Sequence, residues 1–169
     1  LRLSVDAQSG ILFGNQGGMN MLLTRGTSNQ NYVSLVFSLT RGGQEPDGAE
    51  LKSFVKGNKL VANCTVRRSR VEFILKARFG SVKDIDKLEQ VTRETVSFLR
   101  SRGYQSCCQG CGQTVQTDAC VMAGVPSLLC DSCYQQLGHL QEQSQQAELG
   151  KKENVVAGIV GALLGSLLG

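Results

Sequence analysis

Residues 70–79 read Arg70-Val71-Glu72-Phe73-Ile74-Leu75-Lys76-Ala77-Arg78-Phe79, and their reading decides the fold. Val71, Phe73, Leu75, Ala77 and Phe79 fall on one face, against Arg70, Glu72, Lys76 and Arg78 on the other. A two-residue period of this kind is a half-buried strand. The preceding stretch, 59–67, places Leu60, Ala62, Cys64 and Val66 on one face, and Arg68-Ser69 between the two stretches is turn chemistry. Together they predict an antiparallel hairpin with one wet face.

Working outward, residues 31–40 alternate as well, with Val33, Leu35, Phe37 and Leu39 opposite Tyr32, Ser34 and Ser38. Gly42 to Pro46 is a turn cluster. Asp47 is placed to cap a short helix that turns Leu51, Phe54 and Val55 inward and stops at Gly57. A longer helix is expected over 82–100, with Ile85, Leu88, Val91, Thr95, Phe98 and Leu99 on its apolar stripe. Asp84 and Asp86 read as first-turn acids that complement the helix dipole, not as a catalytic pair. Three short strands are expected near Leu1–Val5, Ile11–Phe13 and Met19–Leu23, punctuated by Gly10, Gly14, Gly17 and Gly18. The class is α+β: a small antiparallel sheet with two packed helices over residues 1–103. A split βαβ, ferredoxin-like order lacking its last strand fits, as does another helix-on-sheet layout.

Residues 104–134 carry different chemistry. Cys108-Gln109-Gly110-Cys111 and Cys130-Asp131-Ser132-Cys133 are two C-x-x-C pairs with 18 residues between Cys111 and Cys130. Two short thiol pairs at this separation are the spacing of a structural zinc ribbon, so Cys108, Cys111, Cys130 and Cys133 are the candidate ligands of a Zn2+ ion. Gly110 and Gly112 suit a turn in which amides approach sulfur or φ turns positive. The redox alternative needs a βαβ context, but Cys108 follows a helix ending at Arg100-Ser101-Arg102-Gly103. Cys107 offers a C-x3-C variant of the first pair, Cys120 lies midway between the pairs, and Cys64 reads as a buried inert thiol in a strand. His139 is the single histidine; it reads as a surface residue, and a three-Cys-one-His set needs one pair broken. So small a ribbon buries little, and metal binding substitutes for the missing core. Seven cysteines are an odd number, and thiolates reserved for metal imply a reducing compartment.

Residues 135–152 are expected to form a glutamine-rich helical connector, with Leu137, Leu140 and Leu149 as a thin apolar stripe and Gly150 at its end. From Val155 to Gly169 the chain runs 15 residues without a charge, with glycines at 158, 161, 165 and 169. A span needs about 20 apolar residues, so 153–169 is expected to be the start of a transmembrane helix cut at Gly169. In a soluble helix each glycine costs about 1 kcal/mol relative to alanine. In a bilayer, small residues every fourth position let helices pack closely, which makes Gly158, Gly161, Gly165 and Gly169 the packing face. Lys151 and Lys152 just before the run place residues 1–152 on the cytoplasmic side. The chain opens on Leu1 with no signal peptide visible, so the true N-terminus is expected to lie upstream.

No GxGxxG with an acidic partner, Walker loop, GxSxG or paired-histidine motif is present, so the chain is read as a non-enzyme. Gly14-Asn15-Gln16-Gly17-Gly18 lacks a lysine to meet phosphates and reads as a turn. Arg67, Arg68 and Arg70 form a basic cluster for nucleic acid or anionic lipid, but the net charge is only +4, there is no tryptophan, and Glu72 interrupts the face. The ribbon ending in Cys130-Asp131-Ser132-Cys133-Tyr134, the connector, and Lys151-Lys152-Glu153-Asn154 leading into the glycine-rich run resemble bacterial membrane proteins of uncharacterised activity. In those, a cytoplasmic zinc-ribbon domain precedes a glycine-zipper membrane region. The resemblance covers Cys107 to Gly169 and implies architecture, orientation and Zn2+ at Cys108, Cys111, Cys130 and Cys133, with nothing catalytic. The expected protein is a membrane-tethered zinc-binding adaptor or sensor module with a protein partner or self-association; the alternatives are a nucleic-acid-binding ribbon protein and a thiol-based redox or metal sensor.

Overall fold

The structure is a computed structural model that describes residues 2–6, 11–25, 32–78, 82–122 and 124–140. The end of the 70–79 strand at Phe79, the connector beyond residue 140, and the apolar run with Gly158, Gly161, Gly165 and Gly169 lie outside the described residues. None of the described helices is long and apolar enough to cross a membrane. The chain divides into two compact units, Leu1–Cys133 and Tyr134–Gly169. The expected boundary at 103/104 falls inside the first.

That unit is α+β. Its strands are β1 (Arg2–Asp6), β2 (Ile11–Gln16), β3 (Met19–Arg25) and β4 (Tyr32–Thr40), then α1 (Gly48–Gly57), β5 (Val61–Arg67) and β6 (Arg70–Arg78). A 3-10 turn at Val82–Asp84 leads into α2 (Ile85–Ser101), followed by β7 (Gln105–Ser106), β8 (Asp118–Met122) and β9 (Val125–Leu129). A third helix, α3, starts at residue 131, at the end of this unit, and is described through residue 140 in the second. The main sheet is antiparallel in every pairing, in the order β1-β2-β3-β4-β6-β5, and β7 pairs with the far end of β4. With no parallel pair it is a helix-on-sheet layout and not a ferredoxin-like one.

Local chemistry explains most boundaries. The Asp47 carboxylate accepts from the amides of Ala49 and Glu50, and the α1 cap therefore forms as read. Gly17 and Gly18 adopt φ of +59° and +82° in the two-residue β2–β3 loop, the mirror-image turn that suits the twist of a hairpin. Arg68 in the β5–β6 loop also has positive φ, +53°, a conformation side chains disfavour.

The front of the sheet carries the larger core. Met21, Leu23, Leu35, Phe37, Val71, Phe73 and Leu75 meet Leu51 of α1 and Val91, Val96 and Leu99 of α2. Phe54 stacks on Phe98 at 4.3 Å between ring centroids and meets Phe73 edge-on. Two expectations shift here. Ile85 is exposed, whereas Thr92 and Val96, off the expected stripe, are buried beside Thr95, which lies on it; Thr92 and Thr95 return their hydroxyls to the carbonyls of Leu88 and Val91. In β5 the register slips between Val61 and Asn63, so Val61 and Cys64 are buried and Ala62 is exposed. A bulge inserts one residue and reverses the alternation that sequence alone projects.

The wet face expected of the β5–β6 hairpin is kept at Arg67, Lys76 and Arg78, which are exposed, but the middle of the back of the sheet is covered. Leu22 and Val36 are fully buried there, with Ile11, Phe13, Leu128 of β9 and Ala119 of β8 in the same cluster. Glu72, expected on the wet face, is only 8 % exposed and accepts from the Ser34 hydroxyl at 2.7 Å. The β8–β9 hairpin lies across this side and forms a third layer behind the helices and the sheet.

Candidate metal centre

A hydrogen-bonded corner delivers the first thiol pair. Tyr104 is buried after Gly103 (φ +77°), donates its hydroxyl to Glu50 at 2.7 Å and accepts from the Asp47 amide. Arg41 and Arg102 pair with the same Glu50. From this anchor β7 runs along β4, and the Cys107 amide reaches the Ser38 carbonyl.

The chain then folds into a knuckle. The Cys108 amide bonds to the Gln113 carbonyl, the Gly112 amide to the Cys108 carbonyl, and the Gly110 amide to the Cys108 sulfur at 3.3 Å. Gly112 has φ +73°. Gly110 is where the amide approaches sulfur, as the sequence suggested, and it adds a steric reason: its φ is not positive, but a Cβ there would lie 2.8 Å from the Cys133 sulfur.

The second pair arrives from β9. Leu128 and Leu129 are buried, and residue 109 holds the strand at both polar ends: its amide donates to the Leu128 carbonyl and its Oε1 accepts from the Leu128 amide. The Cys130 amide donates to the Cys108 sulfur at 3.3 Å. α3 starts at the next residue and carries Cys133 in its first turn, at the helix end whose amides favour negative charge.

The result is one cluster. The sulfurs of Cys108, Cys111, Cys130 and Cys133 all lie within 4.8 Å of one another, and those of Cys111 and Cys130 are 4.0 Å apart. Four thiolates at about 2.3 Å from a tetrahedral ion stand about 3.8 Å apart. The group therefore could hold a metal ion after a contraction of about 1 Å or less at its widest pair. Cys108 is buried and Cys111 exposed, with the other two between.

The electrostatics call for a cation. Burial pushes the Cys108 thiol up, but amides of Cys111, Cys130 and Gly110 donate to the sulfur and bring it down to about 7. Cys133 is pushed up to about 12 by desolvation and by hydrogen bonding to its neighbouring sulfurs. Cys108 gives up its proton readily, and its negative charge helps hold the proton on Cys133 unless an ion neutralises the pair.

The remaining thiols lie elsewhere. Cys107 is fully buried with its sulfur 3.4 Å from the Ser38 hydroxyl, and burial pushes it up. Cys120 points to the Ser127 carbonyl at 3.7 Å and is also raised by burial. Cys64 sits in the front core, pushed up to about 12 by desolvation. His139 lies on α3 and is not in the cluster.

Sequence reasoning did not find what fastens the ribbon to the sheet. Asn20 of β3 gives its side-chain amide to the hydroxyl and carbonyl of Thr117, and its backbone amide to the Ser106 hydroxyl. Arg70, grouped with Arg67 and Arg68 as a nucleic-acid or lipid contact, instead donates to the Pro126 carbonyl at 2.6 Å. Burial lowers its pKa and the Glu72 carboxylate offsets part of that. Arg67 and Arg68 are exposed. A groove of about 640 Å³ between the Gly17-Gly18 turn, Arg100 and the Thr114–Gln116 loop contains no acid, histidine or thiol among its lining residues. Compared with known proteins, the chain matches no family model, no curated protein and no solved structure.

Proposed function

We propose that this chain is a zinc-stapled binding module, tethered to a membrane, in which Cys108, Cys111, Cys130 and Cys133 hold one Zn2+ ion for structural ends. The observation that carries this reading is the gathering of four sulfurs within 4.8 Å by two separate chain segments. All-thiolate, four-coordinate sites suit Zn2+ and leave no open position for water or substrate, which is the mark of a structural centre and not a hydrolytic one. The ion's work here is to close the loop from 108 to 133 so that β8 and β9 stay on the sheet.

The tether and its orientation rest on the sequence. The uncharged run from Val155, its Gly161, Gly165 and Gly169 at four-residue spacing with Gly158 three before, and Lys151-Lys152 ahead of it support a membrane anchor with the module on the cytoplasmic side. A reducing compartment agrees with thiolates kept for metal. The module then acts by contact, as an adaptor or sensor with a protein partner or a second copy.

The test is metal stoichiometry with single substitutions. Purified protein is expected to hold one zinc per chain; Cys108→Ser and Cys133→Ser are expected to lose it, while Cys107→Ser and Cys120→Ser keep it. Equal loss in all four variants, or no zinc in the parent, contradicts the assignment. Fractionation of cells making the full-length protein tests the tether: recovery in the soluble fraction counts against it.

A further inference from the structure

We infer that the metal centre gates the back face of the sheet: with the ion bound the β8–β9 hairpin covers Ile11, Phe13, Leu22 and Val36, and when the ion leaves, the hairpin lifts while the sheet and its helices stay folded. This rests on the reading of Cys108, Cys111, Cys130 and Cys133 as a metal site, and it adds that the site controls a surface.

The two apolar clusters make the device. The larger one, on the front of the sheet, draws its buried members from residues 19–104 and includes no side chain of the hairpin. It has both helices and the central strands and needs nothing from the ribbon. The smaller one, on the back, sets Ile11, Leu22 and Val36 of the sheet against Leu128, with Phe13 and Ala119 packed at its margin. Leu22 and Val36 are fully buried, and the hairpin supplies only Leu128 and Ala119 to cover this side.

The cover cannot hold itself in place. Strands β8 and β9 are five residues each and pair only with one another; an isolated two-stranded hairpin is marginal in water. Direct ties to the sheet are few: Arg70 to the Pro126 carbonyl and Asn20 to Thr117. β9 runs directly into Cys130 and β8 follows Cys111 after residues 112–117, so the ion is the clamp that closes the loop on itself. Without it the knuckles lose their common bond, and the loop regains the freedom that closure removed. β7 keeps its pairing with β4 and marks where the lifted segment begins. What is uncovered is a contiguous apolar face on one side of a sheet, which is the kind of surface that monomers rarely leave bare.

The experiment uses the full chain loaded with Zn2+, followed by hydrogen exchange and mass spectrometry before and after EDTA, with metal content measured on the same samples. Exchange in peptides from 109–129 is expected to rise at least about tenfold, the ratio that 1.4 kcal/mol represents, while α1, α2, β4 and β6 keep their protection and added Zn2+ restores the original pattern. A second readout uses Phe13→Trp, since the sequence has no tryptophan: the introduced indole is expected to shift to the red and become quenchable by acrylamide on chelation. Stripped protein with 109–129 still protected overturns the gate and leaves the metal site standing. Loss of protection everywhere at once also overturns it, because the sheet is then not separable from its cover. A chain that takes up no ion overturns the metal reading and the gate with it.

Discussion

Replacing Gly110 with alanine tests the geometry of the centre at its tightest point. The new Cβ would lie 2.8 Å from the Cys133 sulfur and 2.9 Å from its Cβ, with Leu129 Cδ2 in ordinary contact at 3.5 Å. Ordinary contacts between such atoms begin near 3.5 Å, so about 0.7 Å must be found by moving the knuckle or the start of α3. Neither is a flexible side-chain end. Overpacking of this kind costs about 1–3 kcal/mol. The displaced atom is a ligand, so the cost falls on the metal complex and weakens binding by roughly 5- to 150-fold at 1.4 kcal/mol per decade. Gly112→Ala is the contrast. Nothing lies within 4 Å of its Cβ position, and its φ of +73° makes the penalty one of backbone strain, about 1 kcal/mol. Competition for Zn2+ with a chromophoric chelator measures both. Wild-type affinity in Gly110→Ala, with Cys133 still required for binding, would refute the packing argument.

Three further outcomes follow from the same contacts. Asn20→Ala removes both bonds to Thr117, which is 2 % exposed; urea unfolding is expected to show a loss of about 1–3 kcal/mol, and an unchanged midpoint argues against this tie. In the folded chain Cys64 keeps its proton up to about 12, against an ordinary value of 9.0. The unfolded state therefore holds fewer protons between those values, and the stability this thiol contributes is full below pH 9 and declines as pH rises through the window; Cys64→Ala is expected to flatten that decline, and an identical alkaline profile contradicts the burial assigned to the thiol. Arg68→Gly relieves the positive φ of the β5–β6 loop and is expected to raise stability by up to about 1 kcal/mol, with a lower melting temperature as the contrary result.

What was legible in the sequence was local. The Asp47 cap, the Gly17-Gly18 turn and the alternation of β4 and β6 each depend on residues within a few positions of one another, so their pattern survives folding. The thiol quartet was legible because ligand spacing constrains the chain directly. The slip in β5 was not, since Leu60, Ala62, Cys64 and Val66 alternate well and only the partner strand shows that Ala62 is extra. The docking of the ribbon was missed for a related reason. Its signal lies in residues out of phase with their strand: Val36 sits on the face of β4 otherwise occupied by Ser34 and Ser38, and Leu22 on the face of β3 shared with Asn20 and Thr24. Apolar residues on a supposedly wet face mean that something covers it, but they do not say what. Arg70 teaches the converse, because an arginine that reads as surface charge is held by a carbonyl across the layer boundary.

X-ray absorption at the zinc edge of the purified, zinc-loaded chain tests the central claim most directly. Four sulfur scatterers at about 2.3 Å and no nitrogen or oxygen neighbour are the predicted first coordination sphere. Fewer than four sulfurs, or a mixed set that brings in His139 or water, contradicts the account.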